Sequence, residues 1–327
     1  MVEVSTLGAT GLAVTEIGLG LAALGRPAYI NVGRDADLGA SRSVADLEQR
    51  THAVLEAAYD AGVRYFDVAR SYGLAEAFLA SWLDHRRLPP GEVNVGSKWG
   101  YTYTADWRLD AAENEVKDHS PATFRRQYRE SREILGDRLR LYQIHSATME
   151  SGVLEDRELW SELAGLRSDG LAVGFTTSGP RQADVIRRAT AIEVDGVRLF
   201  DTVQATWNLL EPSAGPALAE ASAAGLGVLV KEALANGRLT DRGCGGRPAL
   251  LEIARRIGAS LDAVALAAVL ANPWVDVALS GAVTVAQLES NLGAVEIPLS
   301  ASDVGALMTF AEPAERYWEE RKQLPWS

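Results

Sequence analysis

Between positions 17 and 294 of this 327-residue chain, short apolar runs give way to helix-periodic stretches eight times. The runs are 17–21, 64–67, 93–98, 139–145, 172–177, 202–206, 227–231 and 277–280. They are rich in Val, Ile and Leu and show no in–out alternation, so both faces of each strand need cover, as in a parallel sheet flanked by helices. The helical stretches are 44–61, 75–84, 121–135, 154–168, 181–191, 214–224, the pair 249–257 and 261–271, and 285–292. Ser120 and Pro121 read as an N-cap and first helical residue. Eight such units close a barrel in about 250 residues or somewhat more. The expected fold is therefore α/β, a (β/α)8 TIM barrel. Segments 2–7 and 13–16 flank G-A-T-G and predict a β-hairpin ahead of the barrel. A tail follows it, with a helix-start signal at Ser300 and Asp303 and with Tyr317, Trp318 and Trp326 to pack on the barrel. No linker composition interrupts the series. One domain is expected over 1–327, with the hairpin at 2–16, the barrel at 17–294 and the tail at 298–327. Segments 25–42 and 101–119 read as long irregular loops.

In such a barrel all the C-terminal strand ends open into one mouth, where barrel enzymes do chemistry. Three early strands end in R-Y-F-D67-V-A-R-S-Y72-G, V-N-V-G-S-K98-W-G and L-Y-Q-I-H145-S. They bring Asp67, Tyr72, Lys98 and His145 around one point. Lys98 lies on an apolar strand, where a buried amine needs a partner, and Asp67 is the obvious one. A phenol beside a lysine–carboxylate pair can donate a proton, and an imidazole can orient a carbonyl oxygen. That is the chemistry of carbonyl reduction by hydride. The glycine after Tyr72 points to a tight, exposed backbone. Trp99 and Trp207, at strand ends, are candidate substrate contacts.

Other classes are excluded on simple grounds. Net charge is −12 and the pI about 4.9, against a nucleic-acid footprint. The longest apolar run, 263–271, is too short to span a bilayer, and the first residues lack the regions of a signal peptide. Cys244 is the single cysteine, so an intrachain disulfide or cysteine-rich metal cage is impossible, and no metal site is expected. A cytoplasmic protein acting on a small molecule is the expectation. The segment G18-L-G20-L-A-A23 mimics the dinucleotide fingerprint, but a true fingerprint opens a helix at once. Here Gly25, Arg26 and Pro27 intervene, and the glycines are read as letting a ligand approach the first strand end.

The motifs D67-V-A-R-S-Y72-G, S-K98-W and Q-I-H145 together resemble the aldo-keto reductases over nearly the whole chain. The resemblance implies a nicotinamide cofactor bound without a Rossmann domain and reduction of an aldehyde or ketone. It makes Tyr72 the general acid, Lys98 and Asp67 its modulators, and His145 the group that positions the carbonyl. It also implies cofactor contacts at Gly20, at Thr176 and Thr177 of G-F-T-T, and at Gln204 of V-Q-A-T-W-N. Gly281, Gln287, Ser290 and Asn291 of S-G-A-V-T-V-A-Q-L-E-S-N match the stretch that grips the adenosine end. Two departures stand out. K231-E232-A-L-A-N-G-R238 replaces the usual loop after the seventh strand, so Lys231 falls where an aromatic ring commonly stacks on the nicotinamide, and Arg238 closes the segment. The stretch 280–291 contains no Lys or Arg, so the cofactor is NADPH or NADH with weaker preference for the former, unless Arg238, Arg242 or Arg247 folds over the phosphate. The alternatives are a nicotinamide-binding regulatory or scaffold barrel with little turnover, and a barrel lyase or isomerase without a redox step.

Overall fold

The structure, a computed structural model, describes residues 4–39, 41–243 and 247–326; Cys244 lies outside them. Eight parallel strands close a barrel: β1 Ile17–Gly20, β2 Tyr65–Asp67, β3 Asn94–Trp99, β4 Leu139–Ala147, β5 Ala172–Thr177, β6 Thr202–Thr206, β7 Gly227–Lys231 and β8 Val277–Ser280. Each strand pairs with its chain neighbours, and β8 returns to β1 through Ala278↔Ile17. Strands β5 to β8 begin and end where the apolar runs do, because turn residues bound those runs tightly. Strand β4 continues past His145 to Ala147, with its register against β5 shifting between Ile144 and Ala147. Ser146 there has φ +52°, a bulge that re-aims the strand end.

The helices around the barrel are α1 Val44–Asp60, α2 Ala75–Arg86, α3 Pro121–Leu135, α4 Arg157–Ser168, α5 Gln182–Thr190, α6 Gly215–Ala223, α7 Pro248–Ile257, α8 Leu261–Leu270 and α9 Val285–Leu292. Side chains of Ser43, Ser120, Asp156, Ser260 and Thr284 accept the N3 amide at five of their N-termini, each worth about 1 kcal/mol. The Asp156 cap starts α4 three residues later than its apolar pattern suggests, and Leu154 is buried ahead of it. Apart from Asp262 in its first turn, helix α8 is apolar on all sides because α7, α9 and the tail cover it. The tail forms α10 Ala301–Leu307 and α11 Ala314–Lys322, burying Tyr317 and Trp318.

The hairpin, Val4–Thr6 with Ala13–Thr15, closes the floor of the barrel. Leu7, Leu12 and Val14 pack there against Tyr65, Leu141, Leu229, Val277 and Leu279 from the strands. Two stretches expected to be irregular carry structure. Residues 25–42 hold a five-residue helix, Arg34–Leu38, and 101–119 hold an antiparallel ribbon, Tyr101–Tyr103 with Glu115–Lys117. A second small ribbon joins Glu193–Val194 to Val197–Arg198. Among the described residues no helix is long and apolar enough to cross a membrane.

Candidate active site

Asp67 ends β2, Lys98 lies on β3 and His145 on β4, while Tyr72 sits on the turn between β2 and α2. The parallel register sets Asp67 beside Gly20 on one side and Gly96 on the other. The Lys98 ammonium pairs with Asp67 Oδ1 and donates to the Val68 carbonyl at 2.9 Å. The second Asp67 oxygen accepts from Gln204 Nε2 at 2.9 Å and from the Tyr65 hydroxyl at 3.3 Å. A β-carbon on Gly96 would collide with that Tyr65 hydroxyl, so glycine there leaves room for the contact. Lys98 Nζ lies 4.7 Å from the centroid of the Tyr72 ring. The His145 ring meets Tyr72 edge to face with centroids 5.5 Å apart. The four residues selected from the strand ends thus share one cluster, and Tyr72 and His145 are each 9% exposed to the mouth.

Burial raises the Tyr72 phenol well above 10, and the Asp67 charge adds to this; Arg26 opposes it. Burial lowers the Lys98 amine, against the pull of Asp67. His145 is held well below the usual imidazole range by burial, and then by the charges of Lys98, Lys231 and Arg26. A neutral imidazole therefore faces the phenol. Its Nδ1 lies 3.4 Å from Ser71 Oγ, and its backbone carbonyl is 2.8 Å from His119 Nε2. His119 itself is lowered to about 4 by burial and by Lys117.

The remaining predicted positions divide. Thr176 and Thr177 end β5, Gln204 lies on β6, Ser280 ends β8, and Gln287, Ser290 and Asn291 lie on α9. Thr176 Oγ1 accepts from the Ser146 amide at 2.7 Å and Thr177 Oγ1 donates to the Ala147 carbonyl at 3.1 Å. Asn291 meets Ser280 Oγ at 2.8 Å, and Ser290 meets Ser260 at 2.7 Å. Space beside Gly281 is open. This set of hydroxyls and amides, without a cation, fits the carboxamide and ribose hydroxyls of a nicotinamide dinucleotide.

Lys231 ends β7 and donates to Thr206 Oγ1 at 2.9 Å; burial lowers its amine to about 8. Trp99 is fully buried against Phe124 of α3 and His119, on the outer side of β3. Trp207 packs on Trp274 and is 4% exposed. Neither indole opens on the mouth. Arg238 turns toward the tail and pairs with Glu312 and Glu320, both at 2.8 Å. Arg247 donates to the carbonyls of Arg238 and Gly243. Arg242 reaches across to pair with Asp37 on the short helix, and the same Asp37 accepts from Gln287 Nε2 at 2.8 Å.

Several mouth residues carry no sequence signal. Arg26 is buried beside Tyr72, and Glu232, with φ +54°, is held by both arms of Arg321 from α11. Burial pushes Glu232 up, but Arg321 and Lys231 outweigh it and hold it at about 2. Their partners lie far away in sequence; the charge following an apolar strand could have flagged Glu232, whereas Arg26, in a loop, offers no such mismatch.

Comparison with known proteins follows the same line. The sequence model of the Aldo/keto reductase family matches residues 16–312. The uncharacterized oxidoreductase YrpG of Bacillus subtilis is 26% identical over 324 residues, 91% of this chain and 92% of its own. A D-threo-aldose 1-dehydrogenase of Pseudomonas is 31% identical over 199 residues, covering 55% of this chain and 54% of its own. Among solved structures, the holo form of a Bacillus halodurans aldo-keto reductase superposes with a TM-score of 0.70 at 22% identity, covering 96% of this chain and 98% of its own.

Proposed function

Because the chain belongs to the aldo/keto reductase family, we propose that its mouth reduces an aldehyde or ketone to an alcohol, reversibly, with Tyr72 as the proton donor. The observation that carries this reading is the buried cluster of Tyr72, Lys98, Asp67 and His145. The enzyme is an NAD(P)-dependent oxidoreductase, and the bound nicotinamide supplies the hydride to the carbonyl carbon. Thr176 and Gln204 would hold its carboxamide, and Gln287, Ser290 and Asn291 its adenosine end. The Tyr72 O–H bond breaks as the carbonyl oxygen takes the proton. His145, neutral and with Nδ1 beside Ser71, offers Nε2 to the same oxygen. Lys98 stabilises the phenolate left behind, and Asp67, with Tyr65 and Gln204 donating to it, fixes the amine.

Asp37 accepts from Gln287 and holds Arg242 in an ion pair, so that arginine is already engaged where a 2′-phosphate would need a free cation, which supports use of NADH.

The test is turnover of NADH and NADPH with a panel of aldehydes, ketones and aldoses, in the protein and in its Tyr72→Phe variant. The variant is expected to bind cofactor as before and to lose about 10² to 10⁴-fold in turnover, the usual worth of general acid catalysis. A variant retaining more than about half of the activity would overturn the role of Tyr72. Cofactor binding with no turnover on the whole panel would favour a regulatory or scaffold barrel.

A further inference from the structure

A second cation lies against the Tyr72 ring. Arg26, on the loop after β1, is 2% exposed, and its guanidinium carbon sits 5.2 Å from the Tyr72 centroid. The same group lies 4.8 Å from the Tyr29 ring and 4.9 Å from the Trp326 ring of the tail, so three aromatic faces box it in. Three of its five N–H donors are committed to the protein. Nε bonds the Ala22 carbonyl at 3.2 Å, and Nη1 bonds the Ser71 carbonyl at 3.1 Å and Glu115 Oε2 at 2.9 Å. Ser71 directly precedes Tyr72, so the guanidinium is fastened to the backbone that carries the phenol.

We infer that Arg26 is a positioning residue for the proton donor: it holds the Tyr72 turn through the Ser71 carbonyl and stabilises the phenolate that forms when the proton leaves. The inference rests on Tyr72 being the donor. This guanidinium spends three contacts on two carbonyls and a glutamate, which fix it against the turn that carries Tyr72. A charge 5.2 Å from a ring that becomes anionic acts on it directly, and burial leaves little water between them. The other charged or titratable groups around the phenol are Asp67 and Tyr65 of β2, Lys98 of β3 and His145 of β4. Tyr29 follows Arg26, Glu115 comes from the ribbon, Lys231 and Glu232 from the end of β7, and Arg321 from α11. Burial and Asp67 push the phenol up, Glu115 and Glu232 add to that, and Arg26 works against them.

The experiment is the pH profile of kcat/KM for carbonyl reduction, whose alkaline limb follows loss of the Tyr72 proton. Arg26→Met is expected to move that limb up by about one pH unit and to lower kcat. Arg26→Lys restores the charge and should bring the limb back to within about half a unit. Glu115→Gln removes the anion paired with Arg26 from a partly exposed ribbon and should move the limb down. If Arg26→Met does not fold, Glu115→Gln decides: a downward shift supports the role, and an unmoved or upward limb overturns it. A folded Arg26→Met with an unmoved limb, or a lysine that rescues nothing, also overturns it. If instead Tyr72→Phe remains active, it is the proton-donor reading that fails, whatever the Arg26 variants do.

Discussion

Replacing Asp67 by Asn removes one charge from a pair that water does not reach. Lys98 has no side-chain exposure and Asp67 only 3%. In the variant the amide cannot satisfy both sides. If its oxygen faces Lys98, its NH2 group meets Gln204 Nε2 and the Tyr65 hydroxyl, both donors to the native carboxylate. If it is turned over, the NH2 group faces an ammonium. The first arrangement is better, since Gln204 can flip, but the ammonium is left without a counter-charge. Breaking a buried pair on one side costs about 3–5 kcal/mol. An unfolding entropy of about 2.1 cal/mol/K per residue gives roughly 0.7 kcal/mol/K for a chain of 327 residues. The expected fall in Tm at pH 7 is therefore roughly 4 to 7 °C. Its pH dependence follows from Lys98. Burial already lowers this amine in the native protein, and Asp67 is the main group holding it up. Without Asp67 the folded-state value drops further, while the unfolded value stays at about 10.4. Between those values the unfolded chain binds more protons, so stability rises with pH. The gap between variant and native protein should close as pH approaches 10. Circular dichroism melts from pH 6 to 10 test this. A Tm change under about 1 °C at pH 7, or a gap that widens with pH, would refute the account of the pair.

Other perturbations read different parts of the mouth. Lys98→Met should raise the alkaline limb of the rate profile by about one pH unit, since an amine 4.7 Å from the ring stabilises phenolate; a limb that stays put would argue against their coupling. Arg321→Met should strip Glu232 of its bidentate partner. Glu232 is depressed from 4.5 to about 2, so its contribution of about 3 kcal/mol is present above pH 4.5 and lost as pH falls through 2; equal melting of variant and native protein at pH 7 would contradict this. Asp37→Ser should raise the NADPH to NADH ratio of kcat/KM by about tenfold, because it removes an anion at Gln287 and releases Arg242; an unchanged ratio would place the 2′-phosphate elsewhere.

The barrel strands were legible because each is a closed apolar run, and β5 to β8 match theirs residue for residue. The ribbon Tyr101–Tyr103 with Glu115–Lys117 was not, because its residues are half-exposed or exposed, each strand is three residues long, and the second is mostly charged. Asp67, Lys98 and His145 could be picked out because a charged or imidazole group at the end of an apolar strand is conspicuous. Arg26 could not. It sits in a loop beside a proline, and its partners Ser71 and Glu115 are 45 and 89 residues away. Arg238 was no more legible: a cation near the mouth in sequence reaches a phosphate or a glutamate according to packing, and its pairing with Glu312 and Glu320 of the tail leaves no mark in the local sequence.

The clasp between Glu232 and Arg321 also has a consequence during translation. The ribosome delivers all eight strands before it delivers α11, so a nascent barrel can close while Glu232 still lacks its arginine and Arg26 still lacks the Trp326 ring. Until the last segment emerges, that carboxylate has only the Lys231 amine beside it at the rim. Stalled or prematurely terminated chains would lack both that arginine and the Tyr317 and Trp318 side chains that pack on α7 and α8, leaving a mis-charged entrance and a bare apolar flank together.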